Sequence, residues 1–567
     1  MKISTVKILG FRNFENATIK FNKSTLLIGS NDIGKTNLIY ALRLLLDKSF
    51  SETDLEPRET DFHSSADINS DIFSVTIEFT DIVEDAAISI LKGAVSDNKT
   101  CVMKYQATKK DLDYQLFVGF DENNLSPINS RFYLKFINLK CIDSQRDLEK
   151  FINKEKRQLL KLSQKLLSDD EQAEDADLLE EIGVDLTALN EKVSQLIYVY
   201  QSTSELNSEM KKLSHENSNY DIQLDAGAIG VNDFIDRLKL SASSEGNRML
   251  LGGDGRNNQI LIALWKAKSI REHDVDREVV FYVVEEPEAH LHPHQQRKLA
   301  RYLVDELPGQ SIITSHSPQI AVSFSPNSII RLLSRNGKTT AASNGCSGCI
   351  SESIDDFGYR LSILPAEAFF SSGVFLVEGP SEKLFYESLA YSLKIDLDYL
   401  NISILPVDGI DFEVYINVLK ALDIPWTMRT DNDVFKVSKR EEWRYAGINR
   451  CMKIAGLKEY GNQTKAFTPE EIVEWNDWQV ASDKLNQLGI FLAKHDLEHD
   501  LYDEAPEIMR AYSGSENREG AVKYLQKKKA SRMRELLNEP NADLKTLKNG
   551  ELSRPLQFLV DKIKEVN

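Results

Sequence analysis

Three carboxylates in the second half of the chain stand where divalent-metal chemistry needs them. Phe375-Leu376-Val377 is a short apolar run that stops at Glu378-Gly379, and the mostly apolar stretch from Ile424 to Met428 runs through Arg429-Thr430 into Asp431-Asn432-Asp433. An apolar run ending in a carboxylate reads as a buried strand that delivers its acid to the crevice at the strand C-termini of a parallel sheet. Three hard oxygens converging there suit Mg²⁺ or Mn²⁺. The first half carries a different chemistry. Gly29-Ser30-Asn31-Asp32-Ile33-Gly34-Lys35-Thr36 fits G-x-x-x-x-G-K-[ST]. Glycines let backbone N–H groups turn onto phosphate oxygens, the lysine reaches the β and γ phosphates, and the hydroxyl of Thr36 can ligate Mg²⁺.

A nucleotide site also needs acids opposite its phosphate loop. Val279 to Val284 is a continuous apolar run that ends in Glu285-Glu286. The first carboxylate can hold Mg²⁺ and the second can orient an attacking water. Thr314-Ser315-His316 follows the next short apolar run, which places His316 to sense a γ-phosphate. His290, His292 and His294 have the alternate spacing that puts side chains on one face of a strand. They also belong to the loop after the acidic strand, the reading preferred over a metal site. Cys346 and Cys349 have zinc-knuckle spacing but lack a second pair, and a structural zinc site needs four ligands.

These residues need elements to hold them. Ser24 to Ile28 reads as the strand entering the phosphate loop and Asn37 to Leu46 as the helix leaving it. Met1 to Phe21, Asp71 to Thr80 and Cys101 to Val118 alternate apolar and polar residues like antiparallel strands. Asp147 to Leu213 nearly lacks glycine and proline, and carries leucine stripes at helical spacing, read as two long helices that serve as a dimerisation arm. The acidic stretch Ser168 to Asp177 between them reads as a solvated loop. Asn336 to Ser353 reads as a linker or hairpin region, and Lys383 to Leu393 as a helix. The expected division is 1–147 ATPase, 148–220 helical insertion, 221–345 ATPase again, 346–368 linker and 369–567 a second α/β domain.

At 567 residues the chain is too long for one core. A hydrophobic content of 41% and a charged content of 28% describe a globular protein, and no apolar run reaches the roughly 18 residues of a membrane helix. Five scattered cysteines point to a reduced, cytoplasmic setting. The net charge of −19 argues against indiscriminate coating of nucleic acid, although Lys527-Lys528-Lys529 offers a local basic patch.

The phosphate loop, acidic strand end and switch histidine, divided by a helical insertion, resemble the repair-type ABC ATPases, as does Arg12 within Gly10-Phe11-Arg12-Asn13-Phe14. Two departures stand out. Glu285 occupies a position usually held by Asp, and the signature loop appears only as Leu251-Gly252-Gly253-Asp254-Gly255-Arg256. An acid close to bound phosphates is costly, so hydrolysis is expected to be slow, or the nucleotide sensed more than consumed. The pair Glu378-Gly379 and Asp431-x-Asp433 resembles the Toprim fold. An ABC-type ATPase joined to Toprim is the arrangement of OLD-family nucleases, including the Gabija anti-phage endonucleases; Asn31 to Asn37, Thr430 to Asp433, Asp496-Leu497-Glu498-x-Asp500 and Tyr524 to Lys527 carry that likeness.

The resemblance implies an α/β chain with an N-terminal ABC-type ATPase domain and a C-terminal Toprim domain. It implies that Glu378, Glu382, Asp431, Asp433, Asp496 and Glu498 ligate two Mg²⁺ or Mn²⁺ ions, and that Lys529 or Lys527 stabilises the transition state. It further implies Mg-ATP bound by Gly29, Asn31 to Asn37, Glu285, Glu286, His316, Gly253 and Arg256, with ATP restraining the cutting of double-stranded DNA. A dimer or tetramer and a UvrD-like helicase subunit complete the expectation. Two other classes stay open: a topoisomerase or primase, and an ATP-dependent DNA clamp without nuclease activity. A topoisomerase needs a tyrosine in a DNA-gate module and a primase usually has a zinc module, and neither is recognisable.

Overall fold

The computed structural model describes residues 1–64, 72–142, 148–202, 204–205, 231, 234–235, 238, 240–244, 247–250, 259–260, 262–264, 266–268, 278–307, 309–342, 363–409, 411–438, 441–539 and 542–566. Gly253, Asp254 and Arg256 of the signature-like loop, Cys346, Cys349 and most of the expected linker lie outside the described residues. The strands of the first half are β1 (Lys2–Phe11), β2 (Phe14–Lys20), β3 (Ser24–Ile28), β4 (Ile72–Thr80), β5 (Cys101–Thr108), β6 (Asp113–Gly119), β7 (Leu125–Ile128) and β8 (Ile137–Ile142). After these come β9 (Ser241–Ser244), β10 (Asn247–Leu250), β11 (Val279–Glu285), β12 (Ser311–Thr314), β13 (Ile329–Arg335) and β14 (Lys338–Ala341). The second half adds β15 (Gly373–Val377), β16 (Ile402–Pro406), β17 (Trp426–Thr430), β18 (Val434–Lys436), β19 (Trp443–Tyr445) and β20 (Ile490–Leu492).

Alternating patterns became antiparallel strands, and continuous apolar runs became buried parallel ones. One sheet has the order β2-β1-β4-β5-β6-β7 and is antiparallel throughout. Its alternation turns Ile3, Val6 and Ile8 inward to full burial. A second sheet has the order β14-β13-β3-β12-β11-β8, with every pair from β13 to β8 parallel. All seven residues of β11 are buried, as a strand covered on both faces requires. The helix Lys35–Leu46 buries Leu38, Leu42 and Leu45 and touches β4, β5 and β8. The phosphate loop is therefore braced by both sheets.

The second half holds a parallel sheet of order β16-β15-β17-β20 and an antiparallel hairpin, β18 with β19. The helix after β15 spans Pro380–Ser392 and starts three residues earlier than periodicity suggests, because Pro380 at its first turn has no N–H to leave unpaired. Helix Lys529–Leu537 packs on it, burying Met533 and Leu536 with Phe385 and Leu389. Residues nearly 150 positions apart in sequence thus share one core.

The chain forms two compact units. One holds Met1–Ser144, Val275–Glu288 and Pro293–Asn567; the other holds Gln145–Asp274 with Ala289–His292. In the smaller unit, Ser168 to Asp177 is not a loop. Helix Asp169–Ser194 begins there, with the Ser168 side chain accepting from Glu171 N and the Glu171 carboxylate accepting from Ser168 N. The acids of that stretch occupy the first turns, where the helix dipole favours negative charge. Leu178, Val184, Leu189 and Ile197 of this unit are exposed.

In the larger unit, β13 ties the ATPase half to the second half. Arg331 pairs in register with Ile28, the residue before the phosphate loop. Its guanidinium donates to the carbonyls of Leu422 and Asp423, at 3.1 Å each, and of Ser371 at 3.0 Å. Burial lowers its pKa to about 10, with Asp423 opposing that shift. Arg331→Ala strands three carbonyls, and urea unfolding should show a loss of about 2–3 kcal/mol.

Candidate functional site

Two chemical centres are built on strand C-termini. At the phosphate loop, Gly34 has φ 106°, and a Cβ there would lie 2.1 Å from Asn13 Nδ2. That asparagine donates to Ile33 O at 2.7 Å and so clamps the loop from behind. Lys35 Nζ donates to Gly29 O and Ser30 O at 3.0 and 2.9 Å, folded over the loop its own backbone makes. Burial lowers the pKa of Lys35, opposed by Glu286, Asp32, Glu288 and Glu285. Thr36 Oγ1 donates to Glu285 Oε2 at 3.2 Å, so the hydroxyl and the acid at the end of β11 do meet. His316 Nε2 lies 3.5 Å from Glu286 Oε1. Desolvation first, and Lys35 second, lower the His316 pKa, which keeps the ring neutral and able to accept or donate.

Asn31 and Asp32 form the exposed crest of the loop, with Asp32 at φ 61°. Asn37 reaches back to Asn13 Oδ1 and accepts from Arg12 Nη1, both at 2.8 Å. Arg12 also pairs with Asp61 at 2.9 Å and stacks on Tyr40. The three histidines after β11 do not share a strand face. His290 lies in a turn at φ 63° and His294 in helix Pro293–Glu306, because Pro287 and Pro293 break extended pairing. His294 Nδ1 is instead bonded to Arg297 at 2.7 Å.

The second centre sits at the ends of β15 and β17, which are paired neighbours. Glu378 Oε1 accepts from Thr430 Oγ1 at 2.5 Å and from Asp431 N at 2.9 Å, so the carboxylate after one strand is bonded to the last turn of the other. Arg450 joins them. Its Nη1 lies 3.0 Å from Glu378 Oε1, its Nη2 is 2.7 Å from Asp433 Oδ2, and it also bonds Thr430 Oγ1. Helix Ala446–Ile454 can bring Arg450 this close because Gly447 lies against the loop. A Cβ there would be 2.4 Å from Asp431 O.

Glu382 turns its Oε2 to Gly379 N at 3.1 Å. Asp431 is buried and its pKa is raised, by desolvation first and then by Glu378, with Glu382 and Asp496 adding. Arg429 opposes that rise, and it is itself paired with Asp500 at 2.6 Å beneath the site. Asp496 caps helix Leu497–Glu504. Its oxygens accept from His499 N and His499 Nδ1, at 2.8 and 2.6 Å, and from Gln526 Nε2 at 2.8 Å. Burial pushes its pKa up, but bonds from His495 and His499 outweigh that and hold it well below the ordinary carboxylate range.

Glu498 is fully buried, and neither of its oxygens has a hydrogen-bond partner. Desolvation raises its pKa to about 6, with Lys529 3.9 Å away opposing. Two orphaned oxygens beside Asp496 and Glu382 fit a cation that the polypeptide does not supply. The all-oxygen donor set suits Mg²⁺ or Mn²⁺. Lys529 feels Glu498, Asp431, Glu382 and Asp496 together, and these acids raise its pKa against desolvation. Lys527 caps the preceding helix Arg518–Gln526 and is exposed. Sequence alone puts Lys529 ahead of Lys527 without deciding between them; the turn between the helices separates them. Arg450 escaped sequence analysis, because nothing in a helix past a hairpin marks a side chain as reaching back to Asp433.

Residues 1–321 match the family described as AAA ATPase domain, and residues 369–433 match the TOPRIM domain of Overcoming lysogenization defect-like proteins. The chain is 26% identical to Endonuclease GajA of Bacillus cereus (strain VD045), covering 95% of both chains. It is 28% identical to an OLD nuclease of Thermus scotoductus (strain ATCC 700910 / SA-01), over 28% of this chain and 32% of that protein. A solved Smc head bound to the C-winged helix domain of ScpA aligns with a TM-score of 0.38 at 16% identity, covering 60% of this chain and 97% of that one. The chain is α/β, with an ATPase domain followed by a TOPRIM domain.

Glu498 supplies a signed pH test on chelator-treated protein. An acid whose folded pKa is raised, from 4.5 to about 6, costs stability once it ionises. Glu498→Gln should therefore stabilise the metal-free protein above pH 6, by up to about 2 kcal/mol, and give no gain below pH 4.5. Chemical denaturation at pH 4 and pH 8 checks this.

Proposed function

The chain belongs to the AAA ATPase domain family, and we propose that it is a divalent-metal-dependent DNA endonuclease of anti-phage defence, restrained by nucleotide at its ATPase half. The observation that carries the reading is the meeting of Glu378 with Thr430 and Asp431 at adjacent strand ends, beside the unpartnered oxygens of Glu498. The similarity to an endonuclease along nearly the whole chain supports it. Glu378, Glu382, Asp431, Asp433, Asp496 and Glu498 are the residues that would hold two Mg²⁺ or Mn²⁺ ions. When bound, such ions supply the positive charge that activates water and stabilises the departing 3′ oxygen of a phosphodiester.

The side chains divide the remaining work. Lys529 faces the acids with its ammonium half exposed, suited to meet a scissile phosphate arriving from solvent. Arg450 holds Glu378 and Asp433 in place and neutralises part of their charge. Thr430 fixes which Glu378 oxygen faces the strand end. Arg429 with Asp500 sets a fixed positive charge below Asp431, favouring its ionised form.

In the ATPase half, Mg-ATP would be held by Gly29, Asn31 to Asn37, Thr36 and Glu285, with Glu286 and His316 facing the γ-phosphate. A physical route for restraint exists. The phosphate-loop residues Gly29 and Ser30 line a cavity of about 170 Å³ whose other wall is Phe369, Ser372, Asn401 and Asp423. Arg331 spans the same junction, reaching the carbonyls that precede β15 and β17. A nucleotide that favours one arrangement of the loop can bias the strands bearing Glu378 and Asp431, to the extent that it binds two states differently. The exposed apolar residues of helix Asp169–Ser194 support a homodimer or tetramer through the helical insertion. Double-stranded DNA is the proposed substrate, and a UvrD-like helicase subunit (GajB) the proposed partner.

Plasmid nicking with Mg²⁺ tests the reading. Asp431→Asn should abolish strand scission, Lys529→Met should slow it about 10²–10³-fold, and Lys527→Met should leave it near wild type. ATP should inhibit the wild type but not Lys35→Ala. Intact plasmid at every Mg²⁺ and Mn²⁺ concentration would favour a clamp, and a covalent protein–DNA adduct a topoisomerase.

A further inference from the structure

A second, chemically different ligand set lies on the outer side of Asp496. Glu470 in the first turn of helix Pro469–Glu474, His495 after β20 and His499 in the first turn of helix Leu497–Glu504 bring one ligand atom each within 4.8 Å of one another. The two imidazoles stack with centroids 3.7 Å apart and planes 25° apart. Both turn Nδ1 toward the same carboxylate: His499 Nδ1 is 2.6 Å from Asp496 Oδ1, and His495 Nδ1 is 3.6 Å from Asp496 Oδ2. His495 Nε2 is 3.5 Å from Glu470 Oε1, on the side away from Asp496.

Ligating histidines typically hand their other ring nitrogen to a carboxylate, which fixes tautomer and orientation. Asp496 does this for two rings at once. The competing cation is already engaged: Arg518 gives Nε and Nη2 to Asp503, at 2.8 Å each, and only approaches Glu470 at 3.6 Å.

We propose that Glu470, His495 and His499 form a transition-metal site, selective for Zn²⁺-class dications over Mg²⁺ through its two nitrogen donors. It is distinct from the oxygen-only cluster of Glu378, Asp431 and Glu498, and it shares Asp496 with that cluster as an outer support. Metal here pins the start of helix Leu497–Glu504, the element that presents Glu498. The site holds a structural dication whose loss loosens Asp496 without touching Glu378 or Asp431.

Full-length protein is stripped with chelator, and one equivalent of Co²⁺ is added. Intense visible absorption of nitrogen-ligated Co²⁺ is expected, kept in Glu378→Ala/Asp431→Ala, lost in His499→Gln and in His495→Gln, and weakened about 10–100-fold in affinity by Asp496→Asn. Absorption that survives His499→Gln, or that disappears with Glu378→Ala/Asp431→Ala, overturns the assignment. X-ray absorption of the wild type carrying one equivalent of Zn²⁺ decides independently of any variant's folding. Scattering from two imidazoles sustains the site; an all-oxygen or sulfur shell refutes it. Failure here leaves the nicking result untouched, and the reverse holds as well.

Discussion

The architecture of the C-terminal half rests on keeping several negative charges together without letting them fly apart. Parallel pairing of β15 with β17 forces Glu378 and Asp431 to the same end of the sheet, and helix packing adds Glu382, Asp496 and Glu498. Coulomb repulsion in a partly desolvated crevice costs more than any one of those side chains gains by being there. The fold answers with cations at fixed points. Arg450 stands between Glu378 and Asp433, Arg429 lies below Asp431, and Lys529 stands over Glu498. Among these acids Glu498 has neither oxygen hydrogen-bonded, which marks where a bound cation would complete the balance.

Much of this was legible because period and chemistry agreed. The phosphate loop, its strand β3 and its helix came from a single motif with apolar flanks, and the end of β11 from an unbroken apolar run. Glu378 and Asp431-x-Asp433 were legible for the same reason, since a buried strand can carry a charge only where it leaves the sheet. The acidic stretch Ser168 to Asp177 misled because solvation and helix-dipole stabilisation both ask for carboxylates; only the Ser168–Glu171 capping box separates the two. The histidines after β11 run from a turn into a helix, as the preferred loop reading expected, since a period of two says nothing when prolines interrupt pairing. Arg450, Gln526 and the His495–His499 stack were invisible, since they depend on helices returning from far along the chain.

The joint between the halves follows the same economy of few, well-chosen contacts. β13 is both a neighbour of β3 and the carrier of Arg331, so one strand touches the phosphate loop on its left and the TOPRIM backbone ahead of it. Planar guanidinium geometry suits three carbonyls from two separate loops, where an ammonium would meet them less well. The junction thus consists of directional bonds to main chain with a small cavity beside them.

The helix bearing Lys529 begins only 38 residues before the last residue, Asn567, and it packs on the helix that follows β15. The closing helix Arg554–Val566 lies against β15 and β17. Lys529 lies 151 residues beyond Glu378, so the acidic crevice receives its lysine only after that whole length of chain has been made. A chain cut short before Lys529 carries a complete phosphate loop and a crevice without its lysine.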